Sequence, residues 1–147
     1  GFVMEQPIER RLRKAEFLFV EHKLKEYPVN KKLIAEYEEQ SDNLLSGTRK
    51  AMGGQPGGGG IGRPTEATAI QLALLERTAK CEYFWIKAIE DVLEILSPGE
   101  KLLVELKYFE GHLSNVGVAL ELAVSEREFY RRRDHILRLF ARRFGLI

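Results

Sequence analysis

A chain of 147 residues can form one ordinary domain or two small ones, and 44% apolar and 31% charged residues are typical of a globular protein. Basic and acidic side chains nearly balance, 23 against 22, so overall charge favours no class of partner and its distribution along the chain matters more. The single cysteine, Cys81, excludes an internal disulfide, no apolar run predicts a membrane span, and the first residues lack the apolar core of a signal peptide, so we expect a cytoplasmic protein.

The first predicted elements are two helices separated by a proline. Residues 10–26 are rich in Lys, Arg, Glu and Leu, which favour a helix. Pro28 disfavours helical backbone at Tyr27, so we expect a break before a second helix at about residues 30–45. Its buried face is predicted to carry Leu33, Ile34, Tyr37 and Leu44. These two helices make up an N-terminal helical segment, residues 1–46, for oligomerisation or contact with a partner.

A glycine-rich stretch then divides the chain. Residues 47–64 contain "GGQPGGGGIG", where ordering the backbone costs much entropy, so we interpret them as a flexible linker. A long helix is predicted from Thr65, its N-cap, to Leu96. The predicted buried residues of this helix are Ile70, Leu74, Phe84, Ile89, Val92 and Leu96.

Residues 97–147 follow the order helix, turn, short helix, tight turn, long helix. Ser97, Pro98 and Glu100 combine a capping box with proline at the first helical position, which predicts a helix to about Phe109. Gly111 breaks the chain before a short helix. That helix is predicted from Ser114 to about Leu122, with Val116, Ala119 and Leu120 on it.

The same residues have the outline of a helix-turn-helix DNA-binding unit. Ala119 is small enough to let the two motif helices approach, and Val124 in the turn "AVS" can fill the core below it. Ser125 is predicted to cap the last helix, so that its N-terminal end can face DNA phosphates.

The last helix combines an apolar face with a row of arginines. At about 100° per residue, the apolar face comprises Phe129, Ile136, Phe140 and Phe144, with Leu137 at its margin. The opposite face comprises Arg127, Arg131, Asp134, Arg138 and Arg142. Arg127 and Arg131, near the start of the helix, are placed for base edges, whereas Arg138 and Arg142 are placed for phosphates. The alternative is a charged helix face that is simply solvated.

With those residues in view, the chain resembles a known family. The segment "LSPGEKLLVELKYFEGHLSNVGVALELAVSEREFYRRRDHILRLFARRF" resembles region 4 of bacterial sigma factors. The order of parts resembles phage late-gene transcriptional activators of the RinA/ArpU type, with Tyr27-Pro28 as their tyrosine–proline break, residues 47–64 as their variable linker and residues 65–144 as their long helix and helix-turn-helix. The resemblance implies an activator that binds promoter DNA in the bacterial host cytoplasm and acts with host RNA polymerase.

One position departs from that family. An apolar residue usually stands three positions after the one matched by Phe129, and here Arg132 stands there, followed by Arg133. Two explanations are open. Their stems could cover the core while their heads reach phosphate, or they could pair with acidic residues of the long helix. Those acidic residues are Glu76, Glu82, Glu90, Asp91 and Glu94.

The sequence thus predicts an all-α, DNA-binding transcriptional regulator that is not an enzyme and uses no metal or cofactor. Its predicted DNA-binding residues are Ser114, Asn115, Ser125, Glu126, Arg127, Tyr130, Arg131, Asp134, Arg138 and Arg142. Double-stranded DNA is the expected ligand, with host RNA polymerase and a second copy of the chain as further partners. Two other functions stay open: a phage DNA-packaging component resembling a small terminase subunit, and a helical interaction protein without nucleic acid.

Overall fold

The computed structural model describes the backbone of residues 10–53 and 65–147, and the side chains of residues 10–46 and 65–147. All regular structure in those ranges is helical, which confirms the predicted all-α class. The helices are α1 (Lys14–Gly53), α2 (Glu66–Ile95), α3 (Pro98–Val104), α4 (Asn115–Glu121) and α5 (Glu126–Arg143), and α3 continues directly into a π-helical turn, Glu105–Glu110.

The predicted break at Tyr27-Pro28 is wrong, because α1 runs without interruption through Pro28. A proline inside a helix costs roughly 3 kcal/mol, since it removes one hydrogen bond and crowds the preceding turn. Buried side chains lie on both sides of it, with Val20 and Leu24 before and Ile34 after. This packing outweighs the local cost of the proline.

The predicted linker is also shorter at its start, because α1 extends to Gly53 rather than ending near Ser46. The rest of the predicted linker, residues 54–64, lies outside the described residues. At its other side the Thr65 hydroxyl accepts a hydrogen bond from the Thr68 amide at 3.2 Å, as expected for the N-cap of α2.

The described residues form two compact units. Residues 10–25 and 88–147 form the motif unit, and residues 26–53 and 65–87 form the paired-helix unit. This division differs from the predicted one, because the first part of α1 groups with the C-terminal helices. The start of α1 is set by Glu16, whose Oε1 accepts a hydrogen bond from the Arg13 amide at 2.8 Å.

The motif unit has a large apolar core. Phe129, Ile136 and Phe140 on α5 are fully buried, as predicted from the spacing of the apolar residues, and so is Leu137. Helix α1 supplies Val20 and Leu24, and α2 with the residue that follows it supplies Ala88, Ile89, Val92 and Leu96. The buried residues of α3 and the π-helical turn are Leu103, Val104 and Tyr108, and those of α4 are Val118 and Ala119. At roughly 1.5–3 kcal/mol for each large apolar side chain removed from water, this core fixes the positions of α3, α4 and α5.

The paired-helix unit has a much smaller core. Its buried residues Ile34, Ala79 and Ile86 pack with the partly buried Tyr27 and Tyr37. The predicted buried residues Leu33, Ile70, Leu74 and Phe84 are instead exposed, by 49%, 55%, 59% and 52%. Among the described residues, this unit consists of two helices with one shared seam, so a helix face that is predicted to be buried stays exposed where no third described element covers it.

Most predicted turns and caps of the motif unit are confirmed. The capping box at α3 is formed, with the Ser97 amide donating to Glu100 Oε1 at 2.8 Å and the Glu100 amide donating to Ser97 Oγ at 3.2 Å. Gly111 ends the π-helical turn in a left-handed conformation, with φ of 71°. The predicted helix to about Phe109 is confirmed in its extent, and its last part, Glu105–Glu110, is a π-helical turn rather than an α-helix.

Candidate nucleic-acid interface

The elements predicted to form the helix-turn-helix are α4, a tight turn and α5. Ala119 is buried and lets the two helices approach, while Val124 in the turn is half-buried. The turn closes through hydrogen bonds from the Ala123 amide to the Leu120 carbonyl at 3.1 Å and from the Val124 amide to the Ala119 carbonyl at 3.0 Å. Ala123 adopts a positive φ of 55°, which a non-glycine residue rarely does, so the tight turn is held by packing on both sides.

Serine side chains cap both motif helices. Ser114 Oγ accepts a hydrogen bond from the Gly117 amide and Ser125 Oγ accepts one from the Glu128 amide, each at 3.1 Å. Both predicted site serines therefore have a structural role, which satisfies amide groups at the helix starts. The exposed Ser125 hydroxyl also stands at the end of α5 where partial positive charge accumulates.

The predicted arginine face of α5 points away from the core. Arg127, Arg131 and Arg142 are exposed, and Asp134 and Arg138 are half-buried. Their spacing keeps all five within roughly 80° around the helix axis. Packing of Phe129 and Phe140 on the other side fixes this orientation, so the arginines form one continuous stripe.

The arginines at the start of α5 differ in their contacts. Arg131 donates two hydrogen bonds to the Glu128 carboxylate, from Nε at 2.8 Å and from Nη2 at 2.5 Å, and Arg132 Nε donates a third at 2.9 Å. These hydrogen bonds, from Arg131 first and Arg132 second, lower the pKa of Glu128 to about 2. Among the described residues, Arg127 has no such carboxylate partner.

Arg133 is held by two aromatic rings and by Asp134 rather than by an acidic residue of α2. Its guanidinium lies 4.8 Å from the centre of the Phe17 ring and 4.9 Å from that of Tyr130, and it donates to Asp134 Oδ1 at 2.9 Å. The explanation that Arg132 and Arg133 pair with acidic residues of α2 is therefore wrong, because their acidic partners are Glu128 and Asp134, both on α5. The explanation that their heads reach phosphate stays a prediction. The arginine that does pair with an acidic residue of α2 is Arg143, whose Nη2 lies 3.0 Å from Asp91 Oδ2.

The other predicted site residues, Glu126, Tyr130 and Asn115, differ in their exposure. Glu126 and Tyr130 are exposed in the first turns of α5. Asn115, in the first turn of α4, accepts a hydrogen bond from Lys107 Nζ at 2.6 Å. Asn115 thus belongs to a polar cluster with Lys107 and is half-buried rather than exposed at the surface.

That polar cluster was not foreseen from the sequence. The Tyr108 hydroxyl donates to Glu21 Oε2 at 2.7 Å, and Lys107 Nζ lies 3.9 Å from the same oxygen. Burial raises the pKa of Tyr108 and lowers that of Lys107, because each charged form would lose solvation. The π-helical turn directs both side chains toward α1, and no pattern in the sequence predicts such a turn.

A groove runs between the segment that precedes α1 and the arginine stripe of α5. Its volume is about 480 Å³, and it is lined by Arg11, Leu12, Phe17, Arg131, Arg133, Asp134 and Arg138. Sequence reasoning missed Arg11 and Phe17. The only signal was the basic run "RRLRK" at residues 10–14, which does not reveal where that segment packs.

Comparisons with known proteins add no relative. No protein-family model matches the chain, and neither curated proteins nor solved structures show a significant match. Within residues 10–53 and 65–147, no helix is long and apolar enough to cross a membrane. In the same ranges, no three His, Cys, Asp or Glu side chains are grouped as metal ligands.

Proposed function

We propose that this protein is a sequence-specific DNA-binding transcriptional regulator. The observation that carries the proposal is the start of α5, where a capped helix presents Arg127 without an acidic partner among the described residues. A helix fits the major groove of DNA, and an arginine there pairs with guanine through two hydrogen bonds. Arg131 also contacts a base edge after DNA displaces the Glu128 carboxylate from its guanidinium, and Arg142 contacts a backbone phosphate.

The biological setting of this proposal rests on the family resemblance. By that resemblance, the chain activates late genes of a phage or prophage in the bacterial cytoplasm, at promoters where it meets host RNA polymerase. A monomer would bind as sigma region 4 does, without a palindrome. A dimer would read two half-sites separated by about one helical turn or a multiple of it.

The first test is selection of bound duplexes from a random DNA pool. A single enriched motif is expected, and its symmetry reports whether one or two motif units bind. Arg127→Ala and Arg131→Ala should each weaken binding of the selected duplex by about 1–3 kcal/mol and relax the preference at one base position. Arg142→Ala should weaken binding to all sequences evenly. The assignment of α5 fails if both early substitutions leave affinity unchanged.

A second candidate function is DNA packaging, in the manner of a small terminase subunit. The supporting observation is the exposed apolar surface of α2, where Ile70, Leu74 and Phe84 are each more than half exposed and favour self-association. Mass by light scattering separates the two functions. A ring of many subunits supports packaging, whereas a monomer or dimer supports regulation. Duplex affinity that does not fall with rising salt would instead indicate a protein that does not use phosphate contacts.

A further inference from the structure

The groove beside the arginine stripe brings together cations that are far apart in sequence. Arg11 enters it from the segment before α1, and Arg131, Arg133 and Arg138 enter it from α5. The one acidic residue in the lining, Asp134, already accepts two hydrogen bonds from Arg133. Arg131 is in turn paired with Glu128, which lies outside the lining. The four arginines still outnumber these two carboxylates, so the groove has a net positive charge and favours an anionic ligand.

Arg11 is set apart from its neighbour by its contacts. Arg10 is neutralised by Glu16, with Nη1 and Nη2 each 2.7 Å from a carboxylate oxygen, and Arg10 Nη1 also donates to the Arg11 carbonyl at 3.2 Å. The backbone at Arg11 is thereby fixed beside α1. The Arg11 side chain has no acidic partner among the described residues and lines the groove.

The opposite wall of the groove is fixed by Arg133. Its guanidinium lies against the rings of both Phe17 and Tyr130, which ties the first turn of α1 to α5. This contact occupies one face of the Phe17 ring, so that face cannot stack on a base. The lining therefore fits a phosphate group better than a whole nucleotide.

The groove lies beside residues 131–138 of α5, further along the helix than Arg127. Arg138 lies about 16 Å further along α5 than Arg127, at roughly 1.5 Å per residue, and the later part of a recognition helix whose first residues meet base edges runs out toward the backbone. When Arg127 meets base edges, Arg138 consequently lies at the rim, where the phosphate backbone runs.

We propose that this groove binds a backbone phosphate of the DNA duplex, with Arg11 and Arg138 donating hydrogen bonds to its oxygens. The inference rests on the proposed DNA-binding function and adds a second contacting element, the segment before α1, to the helix-turn-helix. Arg11 is a positioning contact: it sets the orientation of α5 on the duplex and carries no base preference.

The test measures the affinity of the full chain for the selected duplex and for a scrambled duplex over a series of salt concentrations. Arg11→Ala should reduce the slope of log affinity against log salt by about 0.9, the value for one phosphate contact. It should weaken both duplexes by the same factor. Arg13→Ala removes an equal charge two residues away, outside the groove lining, and is the matched control expected to leave the slope unchanged. Arg11→Lys should restore most of the affinity.

Three results would overturn the inference, and they differ in what they leave standing. Equal effects of Arg11→Ala and Arg13→Ala, with specific binding by the unmodified chain, would reject the groove and keep the proposed function. A changed base preference in Arg11→Ala would show that Arg11 reads a base rather than a phosphate. No binding of either duplex by the unmodified chain, at any salt concentration, would reject the proposed function and the groove together.

Discussion

Glu128 controls how much positive charge the start of α5 presents. Its carboxylate holds Arg131 and Arg132 together, and these contacts lower its pKa to about 2. A carboxyl whose pKa falls on folding contributes stability above its usual range near 4.5, and loses that contribution as pH drops toward 2. At neutral pH the pairing is therefore intact, and Arg131 must exchange a carboxylate for DNA when it binds.

Glu128→Gln should release Arg131 at neutral pH, because the amide mimics the protonated side chain. We expect it to raise affinity for any duplex by about two- to fivefold, the range that corresponds to the free energy of an exposed ion pair. Glu126→Gln is the control, since it removes an equal charge from the same helical turn without breaking a described arginine contact. Equal gains for both variants in a binding titration would show that overall charge, and not release of Arg131, is responsible.

Single residues also show which contacts of the site the sequence predicts and which it does not. The apolar and basic faces of α5 follow from helical periodicity, which is local, so Phe129 and Arg127 could be assigned correctly. The partners of Arg132 and Arg133 could not be predicted in this way. Arg133 meets Phe17, which is distant in sequence, and the competing acidic residues of α2 looked equally suitable.

At the scale of elements, the π-helical turn joins the motif to α1. It places Tyr108, which is 3% exposed, against Glu21, and Lys107 against Asn115 at the start of α4. The motif helices are thus connected to α1 through polar contacts as well as through their apolar core. A hydrogen bond to a charged, partly buried acceptor contributes about 1.5–3 kcal/mol.

Tyr108→Phe should therefore lower the free energy of unfolding by about 1.5–3 kcal/mol, because it removes the hydrogen bond that the buried hydroxyl donates to the Glu21 carboxylate. Urea titration followed by circular dichroism measures the change. Tyr83→Phe provides the comparison, since its hydroxyl also meets a glutamate, Glu38 at 3.0 Å, but on an exposed surface. That variant should change stability by less than about 0.5 kcal/mol. Similar losses of unfolding free energy in both variants would mean that burial does not strengthen the hydrogen bond of Tyr108.

The elements themselves differ in how well the sequence predicts them. Ser97, Ser114 and Ser125 begin helices as expected, because capping depends on a few adjacent residues. Pro28 was misread as a break, because packing on both sides of it is not visible locally. The exposed Leu74 and Phe84 were misread as core, because apolar spacing marks a face without showing whether a neighbour covers it.

At the scale of the molecule, the two units differ in the amount of apolar surface they bury. The motif unit buries large side chains from five helices, whereas the core of the paired-helix unit consists of Ile34, Ala79 and Ile86 with two partly buried tyrosines. Since α1 and α2 both run through the two units, each helix has one strongly packed part and one weakly packed part. The predicted division at the linker missed this, because it followed composition along the chain rather than packing.

Native-state hydrogen exchange should reveal this difference within a single helix. In α2, we expect amides of residues 70–80 to open with a free energy at least about 2 kcal/mol lower than those of residues 88–95, where Ile89 and Val92 are buried. Both segments are α-helical, so differences in secondary structure are removed from the comparison. Equal opening free energies at low protein concentration would show one cooperative unit. Protection of residues 70–80 that rises with protein concentration would instead show that a second copy covers Ile70 and Leu74, since association stabilises the unit that it buries.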